Sequence, residues 1–310
     1  MIWRHVPALL AVAGATQAPV YAAGPGATAT AAALATRPSP SLGHLGTWVW
    51  DEATILSSDG RRDLLAFARR KQVDLLFVHA SAAYEEARGF AALAALAEAA
   101  ALQSASIMLV AGDPSWALPA HHIEAVAYVQ RAARIDARLA ARGLARFGRV
   151  LFDVEPYLLP AWRTAREQTA AGYSELLRAL HEAGQAASVQ VWHTIPFWFG
   201  GVTVSGEALE ERVLAAADGI VVMAYRNRED DVRALAAPIL ERAARRGRPV
   251  IVAVETTCVE PPQVTFCGRT RAQLAEALAH LASSLRASRS FAGLAVHSYP
   301  GWSRLDGEVR

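Results

Sequence analysis

Lysine and asparagine are almost missing from this sequence: Lys71 and Asn227 are the only ones. The positive charge is therefore arginine. It is spread along helical stretches instead of gathered in one stripe, and the formal net charge is only +2. That distribution excludes a nucleic-acid footprint. Cysteine is nearly as scarce, with Cys258 and Cys267 the whole complement, which excludes a disulfide-built scaffold and a thiolate zinc site. No stretch reaches the roughly 18 uninterrupted apolar residues that would cross a bilayer. No GxGxxG or Walker pattern follows the first apolar run, GTWVWDEATILSSDG, so the usual dinucleotide and P-loop signatures are absent. What remains is a chain of 310 residues, 53% hydrophobic and 19% charged, able to bury a sizeable core.

The first residues read as an export signal. MIWRH is a short basic start, VPALLAVAGA an apolar core, and VYA, ending at Ala22, has small residues at the cleavage-type positions. Residues 23–44 are small, Pro-containing and unpatterned, which suits a flexible linker. In an exported protein the segment CVEPPQVTFC is expected to close as one local disulfide, Cys258 to Cys267.

Residues 45–310 alternate between short apolar runs and helical stretches. GTWVW, VDLLFVHA, ASIMLVAG, RVLFDVEPY, SVQVWHTIPF, GIVVMAYRN, PVIVAVETT and FAGLAVHSYPGW are the eight runs. Helices are expected between them over 58–70, 84–102, 121–142, 165–186, 207–217, 229–246 and 271–286. Apolar runs without strict alternation suit strands covered on both faces. Eight such strand–helix units in about 260 residues predict a (β/α)8 barrel, the TIM barrel of the α/β class, with an open doubly wound sheet as the alternative.

In such a barrel the reactive residues sit at the carboxyl ends of the strands. Those ends here carry Trp50, His79, Asp113 with Trp116, Asp153 and Glu155 with Tyr157, and Trp192 and His193 with Trp198. The later runs end in Tyr225 and Asn227, in Glu255, and in His297 and Tyr299 with Trp302. The starts of the same runs are apolar. Side chains alternate along a strand, so Asp153 and Glu155 share a face. A phase that points Glu155 inward puts Asp153 inward too, one layer lower. Carboxyls that deep must be hydrogen-bonded, paired or protonated. Such a mouth suits glycoside hydrolysis, which needs one carboxyl kept protonated near neutral pH to donate to the leaving oxygen. A second carboxylate nearby raises the first one's pKa. Aromatic rims offer flat platforms for sugar rings, with Trp116, Trp162, Trp198 and Trp302 as candidates.

FDVEPY followed by VVMAYRN resembles the chitinase-type glycoside hydrolases of family 18, which end their fourth strand in Asp-x-Glu and their sixth in Met-x-Tyr. The resemblance implies that Glu155 is the general acid, and that Asp153 and Tyr225 orient an N-acetyl group attacking from the substrate itself. The pattern departs from the family at Arg149, Val150 and Leu151, where further Asp residues are usual, at Arg226, and at His297, where Trp is frequent. The chain is similar in a second way to the large retaining-glycosidase clan, which places its acid on strand 4 and its nucleophile on strand 7. That likeness implies Glu155 and Glu255, although Val154 stands where that clan has Asn.

Three other readings compete. Asp153 and Glu155 as a structural network would pair with Arg226 or Arg163. A carbohydrate-binding barrel without activity would keep the aromatic rim and tie up its acids. A metal-dependent hydrolase would draw on His79, His193 and His297 with a carboxylate, but the first strand has no HxH pair. The favoured set is Glu155, Asp153, Tyr225 and Glu255 for chemistry. Trp50, His79, Trp116, Tyr157, His193, Trp198, Asn227, His297, Tyr299 and Trp302 are expected to hold the sugar. No cofactor and no metal are expected. The expected partner is a carbohydrate substrate, met by an exported monomer with no membrane span and no nucleic acid.

Overall fold

The computed structural model describes residues 43–305. The expected signal peptide and nearly all of the expected linker lie outside the described residues. The chain is already in strand at His44, one residue before the expected start of the barrel.

Eight parallel strands close into a barrel: β1 (His44–Val49), β2 (Leu75–His79), β3 (Ser106–Ala111), β4 (Arg149–Phe152), β5 (Gln190–Pro196), β6 (Gly219–Met223), β7 (Val250–Glu255) and β8 (Phe291–His297). Each pairs with its sequence neighbours, and β1 closes the ring on β8. This is the expected TIM barrel. The helices are α1 (Glu52–Leu56), α2 (Ser58–Lys71), α3 (Ala87–Ala101), α4 (His122–Ala140), α5 (Ala161–Thr164), α6 (Arg166–Ala187), α7 (Leu209–Ala216), α8 (Glu229–Arg245), α9 (Arg271–Leu285) and α10 (Tyr299–Leu305). The longer ones fall within a few residues of the expected bounds. A small antiparallel ribbon, Thr203–Val204 with Glu207–Ala208, interrupts the connection from β5 to α7.

Local chemistry explains the helix limits. Ser57 caps α2 by accepting from the Gly60 N–H at 3.2 Å, and Thr270 and Gln273 form a reciprocal capping box at α9. In α4 the buried residues Ala125, Tyr128, Val129, Ala132, Ile135 and Leu139 follow the three-and-four spacing of one helical face. They join the outward strand residues in the main core between sheet and helices.

The barrel interior is a separate core. Trp48, Leu75, Phe77, Met108, Val110, Leu151, Trp192, Val221, Ile251, Ala253 and Ala295 fill it. Trp48 and Phe77, register partners on β1 and β2, pack with ring centroids 4.5 Å apart. Trp192 lies over Gly219, where an added Cβ would come within 2.5 Å of the indole. Phe77 likewise covers Gly46. Each fully buried large side chain there contributes about 1.5–3 kcal/mol. This floor fixes the phase of every strand, and so decides which residues reach the mouth.

Candidate active site at the barrel mouth

The β4 end is built by a close approach of β3. The Asp153 N–H donates to the Ala111 carbonyl at 2.8 Å, one residue beyond the strand proper. Gly112 permits this, because a Cβ there would stand 1.9 Å from the Asp153 carbonyl oxygen. Leu151 points into the barrel, so the period of two carries Asp153 and Glu155 inward with it. Pro156 then opens a short 3-10 turn.

Asp153 and Glu155 are both buried, 9% and 8% exposed. Neither forms a salt bridge with an arginine among the described residues. Arg226 instead donates to the Tyr225 carbonyl at 2.7 Å and lies over the Phe197 ring. The structural-network reading of this pair is therefore not what the residues do. Burial, then the Asp153 charge, pushes the Glu155 carboxyl up to about 8. The Tyr157 hydroxyl donates to Glu155 Oε1 and works the other way. Burial likewise raises Asp153 to about 6, opposed by His297 and by the nearby Thr194 hydroxyl. Asp153 Oδ1 and Thr194 Oγ1 are both buried without a well-formed hydrogen bond. Thr194, inward by its phase with Trp192, is a residue that sequence reasoning passed over. Its alternation with Trp192 is the signal that identifies it.

Glu255, at the end of β7, is 5% exposed and fully engaged. Its Oε1 accepts from the Thr256 and Thr257 N–H groups at 2.7 and 2.6 Å, and its Oε2 lies 2.8 Å from His297 Nδ1. Tyr225 packs near His297, with ring centroids 6.3 Å apart. Burial, then Glu255, Asp153 and Glu155, drives its hydroxyl well above its usual range, so it stays a neutral donor. That hydroxyl makes no hydrogen bond among the described residues. Trp50 and His79 complete the near wall, their rings 5.9 Å apart. His79 Nδ1 stands 3.6 Å from Glu52 Oε1, and burial lowers its pKa. Trp198 reaches the site indirectly, edge-on to Tyr157 at 5.1 Å.

Several expected sugar contacts lie elsewhere. His193 is fully buried on the outer face of β5, stacked against its register partner Phe152 at 5.9 Å. Its neighbour Trp192 takes the inward position, so His193 must face the helices. Burial drives its pKa down to about 3, and both ring nitrogens lack partners among the described residues. The His79, His193 and His297 set needed for a metal site is thus not assembled. Among the described residues no group of three or more His, Cys, Asp and Glu has metal-holding geometry. Tyr299 and Trp302 begin α10 and pack edge-on against Phe67 of α2, at 5.0 and 5.3 Å, outside the barrel. Trp162, on α5, is buried against Phe199 and Trp198. Trp116 packs on Tyr128 and Phe152 and donates to Glu124 at 3.2 Å. Asn227 clamps the disulfide loop, donating to the Pro262 and Thr265 carbonyls, both at 2.9 Å. The loop is closed by the expected Cys258–Cys267 disulfide.

The fold and this mouth define a (β/α)8 barrel of the kind shared by glycoside hydrolases. No family model matches the sequence, and no curated protein matches it either. Solved structures do. A GH18 chitinase from Pseudoalteromonas aurantia is 11% identical, with a TM-score of 0.52, over 86% of this chain and 99% of that one. The spore cortex-lytic enzyme SleL of Bacillus megaterium QM B1551 matches at 11% identity and TM-score 0.52, over 86% and 74%. The exo-beta-1,4-mannosidase Op5Man5 from Opitutaceae bacterium strain TAV5 is 12% identical with a TM-score of 0.56, over 82% of this chain and 51% of that one. At such identities the likeness is one of fold. Family 18 and the other glycoside hydrolases share it alike, so the chemistry must be argued from the residues.

Proposed function

We propose that the chain is an exported carbohydrate hydrolase in which Glu155 is the general acid. The observation that carries this reading is the Asp153–Glu155 pair: two buried carboxyls on one inner face, at the reactive end of the barrel, with no arginine or lysine paired to either among the described residues. A structural pair in such a place would be neutralised by arginine. This one is relieved by keeping a proton, and a proton held on Glu155 near neutral pH is what a leaving glycosidic oxygen requires. Asp153, one layer lower, raises the pKa of Glu155. The Tyr225 hydroxyl is a neutral donor facing the same carboxyls. In the reading like family 18, Asp153 and Tyr225 orient a substrate N-acetyl group whose oxygen attacks the anomeric carbon as Glu155 protonates the leaving group. Trp50 and His79 on one side, and Tyr157 backed by Trp198 on the other, wall the cleft against the sugar.

Glu255 supports a second reading. Three donors on its two oxygens suit an ionised carboxylate, which a strand-7 nucleophile must be. The two mechanisms separate by substrate. Under the first, cleavage requires a 2-acetamido group on the reacting sugar. Under the second, glycosides without it are cleaved, and a 2-deoxy-2-fluoro glycosyl fluoride leaves a covalent adduct on Glu255. Binding of oligosaccharides with no turnover on either class would replace both with the carbohydrate-binding barrel.

A further inference from the structure

Strands β7 and β8 bring Glu255 and His297 side by side as register partners. Both follow small inward residues, Ala253 and Ala295, which leave the space above them to their longer side chains. His297 is 6% exposed. Its Nδ1 lies 2.8 Å from Glu255 Oε2, and its Nε2 lies 2.9 Å from Trp50 Nε1. An indole N–H can only donate. Nε2 is therefore the acceptor, the ring proton belongs on Nδ1, and Nδ1–H donates to Glu255. The donor chain runs Trp50 to His297 to Glu255, with the tautomer dictated by the chemistry of its outer member. The Trp50 N–H and both His297 nitrogens are spent within the protein, so these polar atoms are not free to bind a sugar hydroxyl, and only the ring faces remain for one.

We propose that Trp50 and His297 are positioning residues for Glu255: Trp50 fixes the Nδ1–H tautomer of His297, and that N–H holds the Glu255 carboxylate in one orientation as the fixed negative charge of the mouth. Their effect on turnover rests on the hydrolase reading above; the tautomer does not. The groups facing His297 are Glu255 from β7, Asp153 and Glu155 beyond β4, Tyr225 beyond β6, and the Trp48 and Trp50 rings of β1. Burial opposes a second proton on His297. The carboxylates Glu255, Asp153 and Glu155 outweigh it, and the net direction is upward. That proton has to enter at Nε2, the atom Trp50 covers, so removing the indole N–H makes protonation easier still.

The test uses full-length protein labelled with 15N. In the wild type, at a pH above the His297 midpoint where the ring is neutral, its nitrogens show the Nδ1–H tautomer. In Trp50→Phe, which keeps the ring bulk and loses the donor, the ring samples both tautomers and its midpoint moves up by about one pH unit, the equivalent of about tenfold. An Nε2–H tautomer in the wild type, or an unchanged tautomer and midpoint in Trp50→Phe, overturns the proposal. In turnover, Trp50→Phe lowers kcat about tenfold with KM nearly unchanged, and a limb of its pH profile moves with the imidazole midpoint. His297→Asn, whose amide N–H approximates Nδ1, keeps more kcat than His297→Ala. A change confined to KM overturns the proposal, because it makes the Trp50 N–H a sugar contact instead of a support for His297. A wild type without glycosidase activity ends the hydrolase reading alone, and the tautomer measurements still decide this one.

Discussion

Between pH 6.5 and 9 the wild-type protein should lose stability through Glu155, and Glu155→Gln should not. Burial, then Asp153, lifts this carboxyl from 4.5 to about 8. Below about pH 4.5 both folded and unfolded chains hold the proton, and the group's contribution is fully present. As the pH climbs towards 8, the unfolded chain has released its proton while the folded chain keeps it, so stability falls. Above about 8 both are ionised and nothing further is lost. The side chain is 8% exposed, so solvent screening is minor. The window starts at 6.5 because His193, held down to about 3 by burial, gives an opposite slope below that point. Asp153, raised to about 6, has largely titrated by then. From 6.5 to about 8 there remain roughly 1.5 pH units at ~1.4 kcal/mol each, or about 2 kcal/mol. His297, also raised, loses stability in the same direction, and comparison with the glutamine variant separates its part. Urea unfolding at pH 6.5 and 9, with m constant, reads the difference. Equal losses in the two proteins would refute a buried, protonated Glu155.

Two other perturbations follow from the same structure. The disulfide closes a loop with a sequence separation of 9; replacing both cysteines with serine should cost about 2–3 kcal/mol in denaturant unfolding, and a loss below about 0.5 kcal/mol would show that Asn227 and the Thr265 contacts hold the loop unaided. His193→Leu removes two buried, unpartnered nitrogens. It should stabilise the protein by about 1–2 kcal/mol at pH 5, where the unfolded histidine takes a proton that the folded one refuses, and leave glycan binding untouched; weakened binding would return His193 to the site.

What could be read from the sequence was set by strand phase. The carboxyls of FDVEPY follow Leu151 at intervals of two, so one inward residue in the barrel floor settles both. The same rule separates Trp192 from His193, since neighbours on a strand cannot both face inward, and the polar character of His193 pointed the wrong way. Phase runs a few residues past β4 and ends where the chain turns. Tyr299 and Trp302 enter α10 and turn to Phe67, and Trp162 rides on α5, so strand periodicity held no information about them. Asn227 was legible as polar and near the mouth. That its amide would clamp the disulfide loop depends on how that loop folds back, a contact across about 35 residues of chain.

The central claim is that Glu155 supplies the proton. The direct measurement is kcat/KM for wild type and Glu155→Gln on the glycoside that the wild type cleaves best, with binding of an oligosaccharide measured alongside. Loss of a general acid predicts a fall of at least about a hundredfold, carried by kcat, with binding retained. Turnover unchanged by the substitution would contradict the account.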